Sequence, residues 1–425
     1  MLKKVMQGNP FLKNVSMIVG GTVFAQIINI LVSPVLTRIY QPEMYGVFST
    51  FNSLVAIFSI SASLDYQNAI PLEKEDEDAV HLYFLAFVIL IVVCILFGIV
   101  FLFRGDILLA KLNYSNMIPY KYFLIIGIFL TGLYNILMQT AFRMDAFQII
   151  ARTKYVQCFF SNGVKIIVGL ISKSSIGLVI GAIIGQSAGI SNLYRILKSS
   201  LKDFRFSGKK IKKLMIKYKK FPLFSAPNNY INSMSVQMPV LMISGMFGSD
   251  IVGYFSLANQ IVAIPALFIG TAIGQVFYAQ ISKIKNRYSN QLKKECLRIL
   301  IKMTILGGVI FLMISIFLPF LITIVYGEEW RIAGDLARIL CINAFASFLV
   351  IPLGRVLEII NQQQISLIFN TIRVIVLFGV FNVARIYNYN IYQALLGFSI
   401  VSALFYILLI MVILRQLKIN TEVCI

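Results

Sequence analysis

The sequence predicts an all-α integral membrane protein, and three observations carry that class. Of its 425 residues, 59% are hydrophobic and only 13% are charged, against about 25% charged in an average soluble domain. The mean hydropathy is +0.84. Apolar runs recur along the whole chain, each close to the roughly 20 residues that cross a bilayer as a helix.

Twelve spans are expected: 15–37, 45–64, 80–103, 121–142, 155–172, 176–196, 225–246, 252–280, 300–325, 334–354, 363–382 and 391–414. The first is too long for a removable signal peptide, and the "MLKK" before it reads as a cytoplasmic flank. With both termini in the cytoplasm and residues near span ends counted with the adjoining segment, 28 Lys/Arg fall in cytoplasmic segments, eight in external ones and two within spans. That asymmetry obeys the positive-inside rule. Ser249 and Asn388 are then external and Lys209 cytoplasmic. Eleven of the 28 lie between Arg195 and Lys220, a topology signal beside anionic lipid head groups. The net charge of +21 therefore calls for no nucleic-acid partner. The acidic run "EKEDED" at 73–78 also falls inside; acidic residues weigh little in the rule.

The second span repeats within the eighth. "YGVFSTFNSLVAIF" (45–58) and "VGYFSLANQIVAIP" (252–265) share seven of fourteen positions, among them Gly46/Gly253, Phe48/Phe255 and Asn52/Asn259. The fifth span repeats within the eleventh: "SNGVKIIV" (161–168) lies over "FNTIRVIV" (369–376), pairing Asn162 with Asn370 and Lys165 with Arg373. Six spans per repeat give both halves one orientation, about an axis along the membrane normal. The expected domains are a six-helix bundle over 1–197, a basic cytoplasmic linker over 198–220 and a second six-helix bundle over 221–425.

Lys165 and Arg373 are the candidate functional cations. Each is about the eleventh residue of its expected span, roughly 15 Å from either end, too deep for easy snorkelling. A cation at a helix centre costs about 2.5–3.5 kcal/mol on insertion scales and is a functional candidate by default. No acid lies near the middle of any span. The two cations are expected to face a common hydrated cavity whose natural guest is an anion, near the midplane where repeats meet; the plainer alternative is a pair of structural cations bonded to carbonyls.

The remaining elements carry weaker signals. Gly177, Gly181, Gly185 and Gly189 recur every four residues in the sixth span, and "GTAIG" (270–274) does so in the eighth; small residues at that spacing let helices pack closely. "GQSAG" (185–189) fits the nucleophile-elbow pattern only by letter, because that pattern needs a strand-to-helix turn. The seventh span holds Asn228, Asn229, Asn232, Ser233, Ser235 and Gln237 between Pro227 and Pro239, and the first holds Thr22, Gln26, Asn29 and Ser33 before Pro34. Amides and hydroxyls in a span must pair or face water; they read either as interhelical glue or as a lining suited to sugars. Asn229 and Asn232, with Asn162 and Asn370, join the candidate binding set. Asp65 and Arg143 fall at cytoplasmic ends of spans, where they form a candidate gate pair, and Arg38 falls at an external end as a further candidate gating residue; such charges are commonly interface anchors. Five cysteines without a CxxC pair and a single histidine, His81, suggest no metal site, disulfide framework or cofactor.

Three stretches, "GTVFAQIINILVSPVLTRIYQPEMYGVF" (21–48), the segment 221–278 and "YGEEWRIAGDLARIL" (326–340), resemble Wzx-type O-antigen flippases. These form the polysaccharide transporter branch of the multidrug/oligosaccharidyl-lipid/polysaccharide (MOP) superfamily. The resemblance implies a MATE-like V of two six-helix bundles in the bacterial inner membrane, with no enzymatic activity. It implies a flippase carrying an undecaprenyl-diphosphate-linked oligosaccharide from the cytoplasmic to the periplasmic leaflet. A polymerase and a chain-length regulator are further candidate partners, besides membrane lipids. Lys165 and Arg373 would then contact diphosphate or acidic sugar. A small-solute antiporter of the same superfamily would call for a cavity acid. A membrane polymerase would call for a longer external loop than the roughly 17 residues available here and an acid/base pair.

Overall fold

The computed structural model describes residues 10–200, 206–281, 284, 290–360 and 362–422. Among them are fourteen α-helices: α1 Pro10–Ile39, α2 Pro42–Ile60, α3 Asp76–Lys111, α4 Lys121–Arg143, α5 Phe147–Ser172, α6 Ile176–Ser200, α7 Gly208–Lys217, α8 Ala226–Phe247, α9 Ser249–Val262, α10 Thr271–Ile281, α11 Asn290–Tyr326, α12 Arg331–Ile359, α13 Gln363–Ile386 and α14 Ile391–Glu422. Ten stretches among the described residues are long and apolar enough to cross a membrane, so the chain is a multi-pass membrane protein. Of the twelve expected spans, those carried by α2 and α8 are not among the ten. The reason is their composition. In α2, Ser49, Thr50, Asn52, Ser53 and Ser59 dilute the apolar residues, and in α8 the Asn/Ser/Gln cluster does so.

The chain divides into two compact units, Met1–Gln237 and Met238–Ile425. The expected linker, 198–220, lies inside the first, and the division runs through α8 beside Pro239. Within the first unit the opening half of α8 is hooked to the end of α2. Ser61 donates to the Ala226 carbonyl at 3.0 Å, Ser233 to that of Ala56 at 3.2 Å, and Ser53 to Gln237 Oε1 at 3.0 Å.

In the first unit α4 packs on α2, α3 and α6, while α5 packs on α1 and α6. In the second, α12 packs on α9, α11 and α14, and α13 packs on α14. The repeat maps α4 onto α12, so each unit is organised around its fourth span by the same scheme of neighbours. The Gly-Glu-Glu-Trp segment shows how a short motif fixes one such contact. Gly327 adopts φ 106°, a conformation open to glycine, and turns the chain so that Trp330 is fully buried edge-on to Tyr254 of α9, with ring centroids 6.0 Å apart.

The glycine stripe is the seam between α5 and α6. A β-carbon on Gly185 would meet Ser161 Cβ at 2.7 Å and the Gln157 carbonyl at 3.2 Å, and one on Gly189 would meet the Gln157 amide. Gly177 and Gly181 stand as close to Tyr40 and to the Lys165 stem. By contrast, nothing lies within 4 Å of a β-carbon on Gly163 of α5. Gly185→Val should therefore lower stability by about 1–3 kcal/mol through overpacking, while Gly163→Ala should be neutral or slightly stabilising. Thermal unfolding of the purified variants in detergent checks both.

Candidate functional site

Lys165 sits on α5 and is half-buried. Its Nζ lies 4.8 Å from the ring centre of Phe48 on α2, and its stem runs past Gly181 of α6. Its backbone carbonyl accepts a 2.6 Å hydrogen bond from the fully buried Tyr40. Among the described residues no carboxylate pairs with it. A cation over an aromatic face gains about 0.5–2 kcal/mol, less than the cost of placing it in a helix centre. α5 ends at Ser172, as the expected span did, so Lys165 stands seven residues, about 10 Å rather than 15 Å, from the C-terminal end of its helix.

Arg373 sits on α13, close to the helix middle, with its guanidinium carbon 4.6 Å from the ring centre of Tyr406 on α14. Its Nε is buried without a hydrogen-bond partner, and among the described residues no carboxylate pairs with it either. Asn370 lies one turn earlier on the same helix and is half-buried. The repeat thus places a cation on the fifth span of each unit. The aromatic partners come from different elements, the second span for Lys165 and the sixth for Arg373.

Asn162 is buried and serves as glue. Its amide donates to Asn29 Oδ1 of α1 at 2.8 Å, beside Cys158, so it is committed to the α1–α5 contact. Asn232 is exposed on α8. Asn229 donates at 2.6 Å to the carboxylate of Asp65, which is 1% exposed and held at φ 59°, a region that Asp tolerates better than most residues. Burial pushes the Asp65 carboxyl up, and hydrogen bonds from Ser225, Asn229 and Gln67 offset part of that.

Asp65 and Arg143 are not paired. Arg143 instead donates at 2.8 Å to Asp76 and also to the carbonyls of Ile70, Glu73 and Lys74, closing the loop that follows α2. Arg38 is exposed and has no ion pair among the described residues.

The acidic run has a partner that the charge count did not reveal. Lys217 and Lys210 of α7 reach Glu73 and Glu77, each at 2.5 Å. Tyr66 donates to the Met215 carbonyl at 3.3 Å. The His81 ring is fully buried, accepting from the Ser207 amide at Nε2 and donating from Nδ1 to the Glu77 carbonyl at 2.7 Å. His81 is thus a structural link and not a catalytic base. Helix α7 of the basic linker is thereby clasped against α3 and the loop before it.

Sequence reasoning also missed Tyr40, Phe48 and Tyr406. Only Phe48 left a trace, as one of the positions shared between repeats.

A model of the polysaccharide biosynthesis protein family matches residues 35–335. The chain belongs to that family. It is 23% identical over 376 residues to an uncharacterized membrane protein in the cps region of Klebsiella pneumoniae, covering 87% of this chain and 75% of that one. It is 27% identical over 161 residues to the teichuronic acid biosynthesis protein TuaB of Bacillus subtilis (strain 168). That match spans 37% of this chain and 32% of TuaB. Among solved structures, the lipid II flippase MurJ in an inward closed conformation superposes with a TM-score of 0.68 at 15% identity, covering 96% of this chain and 90% of that one. An inward-facing multidrug resistance MATE transporter of the MOP superfamily superposes at 0.65 with 14% identity, covering 94% and 95%. The fold is therefore that of MOP-superfamily transporters.

The clasp generates a prediction. Burial pushes the Glu73 carboxyl up, but hydrogen bonds from Lys217 and Tyr218 and the Lys217 charge outweigh it and hold it below its ordinary 4.5. The Lys210 hydrogen bond likewise lowers Glu77. A lowered carboxylate pKa stabilises above the ordinary value and is lost as pH falls through the lowered one. A spin label at Ile216→Cys should be immobile at neutral pH. It should become mobile in the Glu73→Gln/Glu77→Gln protein, and in the otherwise unchanged protein only as pH falls below 4.5 and through the lowered carboxyl pKa values.

Proposed function

We propose that this protein is a flippase that moves an undecaprenyl-diphosphate-linked oligosaccharide, the repeat unit of a surface polysaccharide such as O-antigen, from the cytoplasmic to the periplasmic leaflet by alternating access. One observation carries the reading: each repeat holds a cation on its fifth span that stacks on an aromatic ring and lacks a carboxylate partner among the described residues. A diphosphate crossing a low-dielectric region needs countercharge and hydrogen-bond donors. Lys165 supplies a point charge. Arg373 supplies a planar fork able to grip phosphate bidentately, and its Nε–H already lacks an acceptor.

In this reading all twelve expected spans cross the bacterial inner membrane, α2 and α8 included, and both termini are cytoplasmic. The bundles 1–197 and 221–425 are the moving parts, joined by the segment 198–220, whose helix α7 is clasped to the first. The polar character of α2 and α8 suits helices that border a hydrated path. The family description and the cps and teichuronic acid names of the relatives support a surface glycan as cargo, and the likeness to MurJ supports a lipid carrier.

Lys165→Ala and Arg373→Ala should each reduce complementation of a flippase-null strain at unchanged membrane abundance, by about ten-fold or more for loss of one charge-assisted contact of 1.5–3 kcal/mol. Lys165→Arg should be better tolerated than Lys165→Glu, and Arg373→Lys should retain partial function. Normal surface glycan at low expression in the double Ala variant would make both cations structural and end this mechanism.

A further inference from the structure

The first unit holds a cavity of about 170 Å³ between α2, α4 and α6. Its polar lining is Asn52, Thr131 and Gln186, and its apolar lining includes Phe51, Val55 and Leu130. Among the described residues no charged side chain lines it. Each of the three polar residues lies near the middle of its helix, at a depth where an unpaired polar group is costly.

Two of the three are unpaired. Neither the Asn52 amide nor the Thr131 hydroxyl has a hydrogen-bond partner among the described residues, and Asn52 is exposed. Gln186 is oriented from behind: its Oε1 accepts a 2.9 Å hydrogen bond from Gln157 of α5, which leaves its amide N–H groups for a guest. The cavity therefore offers donors and acceptors together, no charge, and an apolar wall. That combination suits a neutral polyhydroxylated ring, whose hydroxyls both donate and accept and whose C–H face is apolar. It suits neither an ion nor a purely apolar molecule.

The position of the cavity matters as much as its lining. Asn52 lies one helical turn, about 5.4 Å, from Phe48, the ring that carries Lys165. A guest with its sugar in the cavity would have its next group beside the ammonium. The repeat partner of Asn52, Asn259 on α9, is likewise exposed and without a side-chain partner among the described residues. Equivalent amides are thus left open in both units.

We propose that this cavity is a neutral-sugar subsite that holds the sugar attached to the diphosphate, with Asn52, Thr131 and Gln186 as its hydrogen-bonding residues. The proposal rests on the flippase reading and adds to it a contact that reads the glycan apart from its charge. The polar walls hold water when no sugar is present, and the sugar hydroxyls replace those hydrogen bonds.

The test is a binding comparison on the purified full chain in nanodiscs, using undecaprenyl diphosphate, the same lipid carrying one N-acetylhexosamine, and phosphatidylglycerol as control. The wild type should bind the sugar-bearing lipid about ten-fold more tightly than undecaprenyl diphosphate. Asn52→Ala, Gln186→Ala and the near-isosteric Thr131→Val should each shrink that advantage by about 2–10-fold, the range for one neutral hydrogen bond. Their affinity for undecaprenyl diphosphate should be unchanged, which also shows that they are folded, whereas Lys165→Ala should weaken binding of both lipids. If the wild type binds the two undecaprenyl lipids equally, or if all three cavity variants keep the full advantage, the subsite is wrong and the flippase reading stands. Binding of neither above the phosphatidylglycerol control would overturn the flippase reading and the subsite with it.

Discussion

Positive charge within apolar membrane-spanning helices, with no carboxylate partner among the described residues, is the constraint on which the rest of this molecule depends. At Lys165 the protein meets it with close helix packing. Gly181 clears room for the lysine stem, Phe48 covers the ammonium, and Tyr40 ties down the backbone carbonyl of the same residue. At Arg373 the answer is Tyr406. A ring face offsets only part of the cost of a desolvated cation. In the flippase reading the remainder falls to water or to an anionic guest.

A second layer of structure sits at the expected cytoplasmic side. The acids that follow α2 hold the basic helix α7, and Asp65 holds the opening of α8 through Asn229. The segment from residue 206 to the middle of α8 is therefore built into the first unit. The contacts at its two ends differ in kind. The α7 clasp uses partly exposed ion pairs, which individually contribute little. The α2–α8 hook uses part-buried hydrogen bonds between neutral groups beside one buried carboxylate, whose unmade bond would be expensive.

Much of the architecture was legible in the sequence, for physical reasons. Long apolar runs leave few alternatives to a helix in lipid, and the four-residue glycine spacing marked the α5–α6 seam. The offset near 208 between Lys165 and Arg373 put both cations on equivalent helices. What was not legible depends on side-chain direction and on partners distant in sequence. Asn162 looked like a lining residue but points to Asn29. Asp65 and Arg143 looked like a pair because both fall at span ends, yet the loop between α2 and α3 folds back and gives Arg143 a nearer carboxylate in Asp76. The acidic run read as inert because charge counts ignore pairing. Asn52 was visible only as one repeat match among seven, with nothing in the pattern to show that it opens into a cavity.

The central claim is that this chain moves a diphosphate-linked glycolipid across a bilayer. The most direct measurement reconstitutes the purified protein into liposomes that carry a fluorescent undecaprenyl-diphosphate-linked oligosaccharide in both leaflets. A membrane-impermeant quencher is then added outside. Without protein, only the outer-leaflet fraction should be quenched. With wild-type protein, quenching should run towards completion, and Lys165→Ala/Arg373→Ala protein should slow it sharply. Quenching that stops at the outer-leaflet fraction with well-folded wild-type protein would contradict the account.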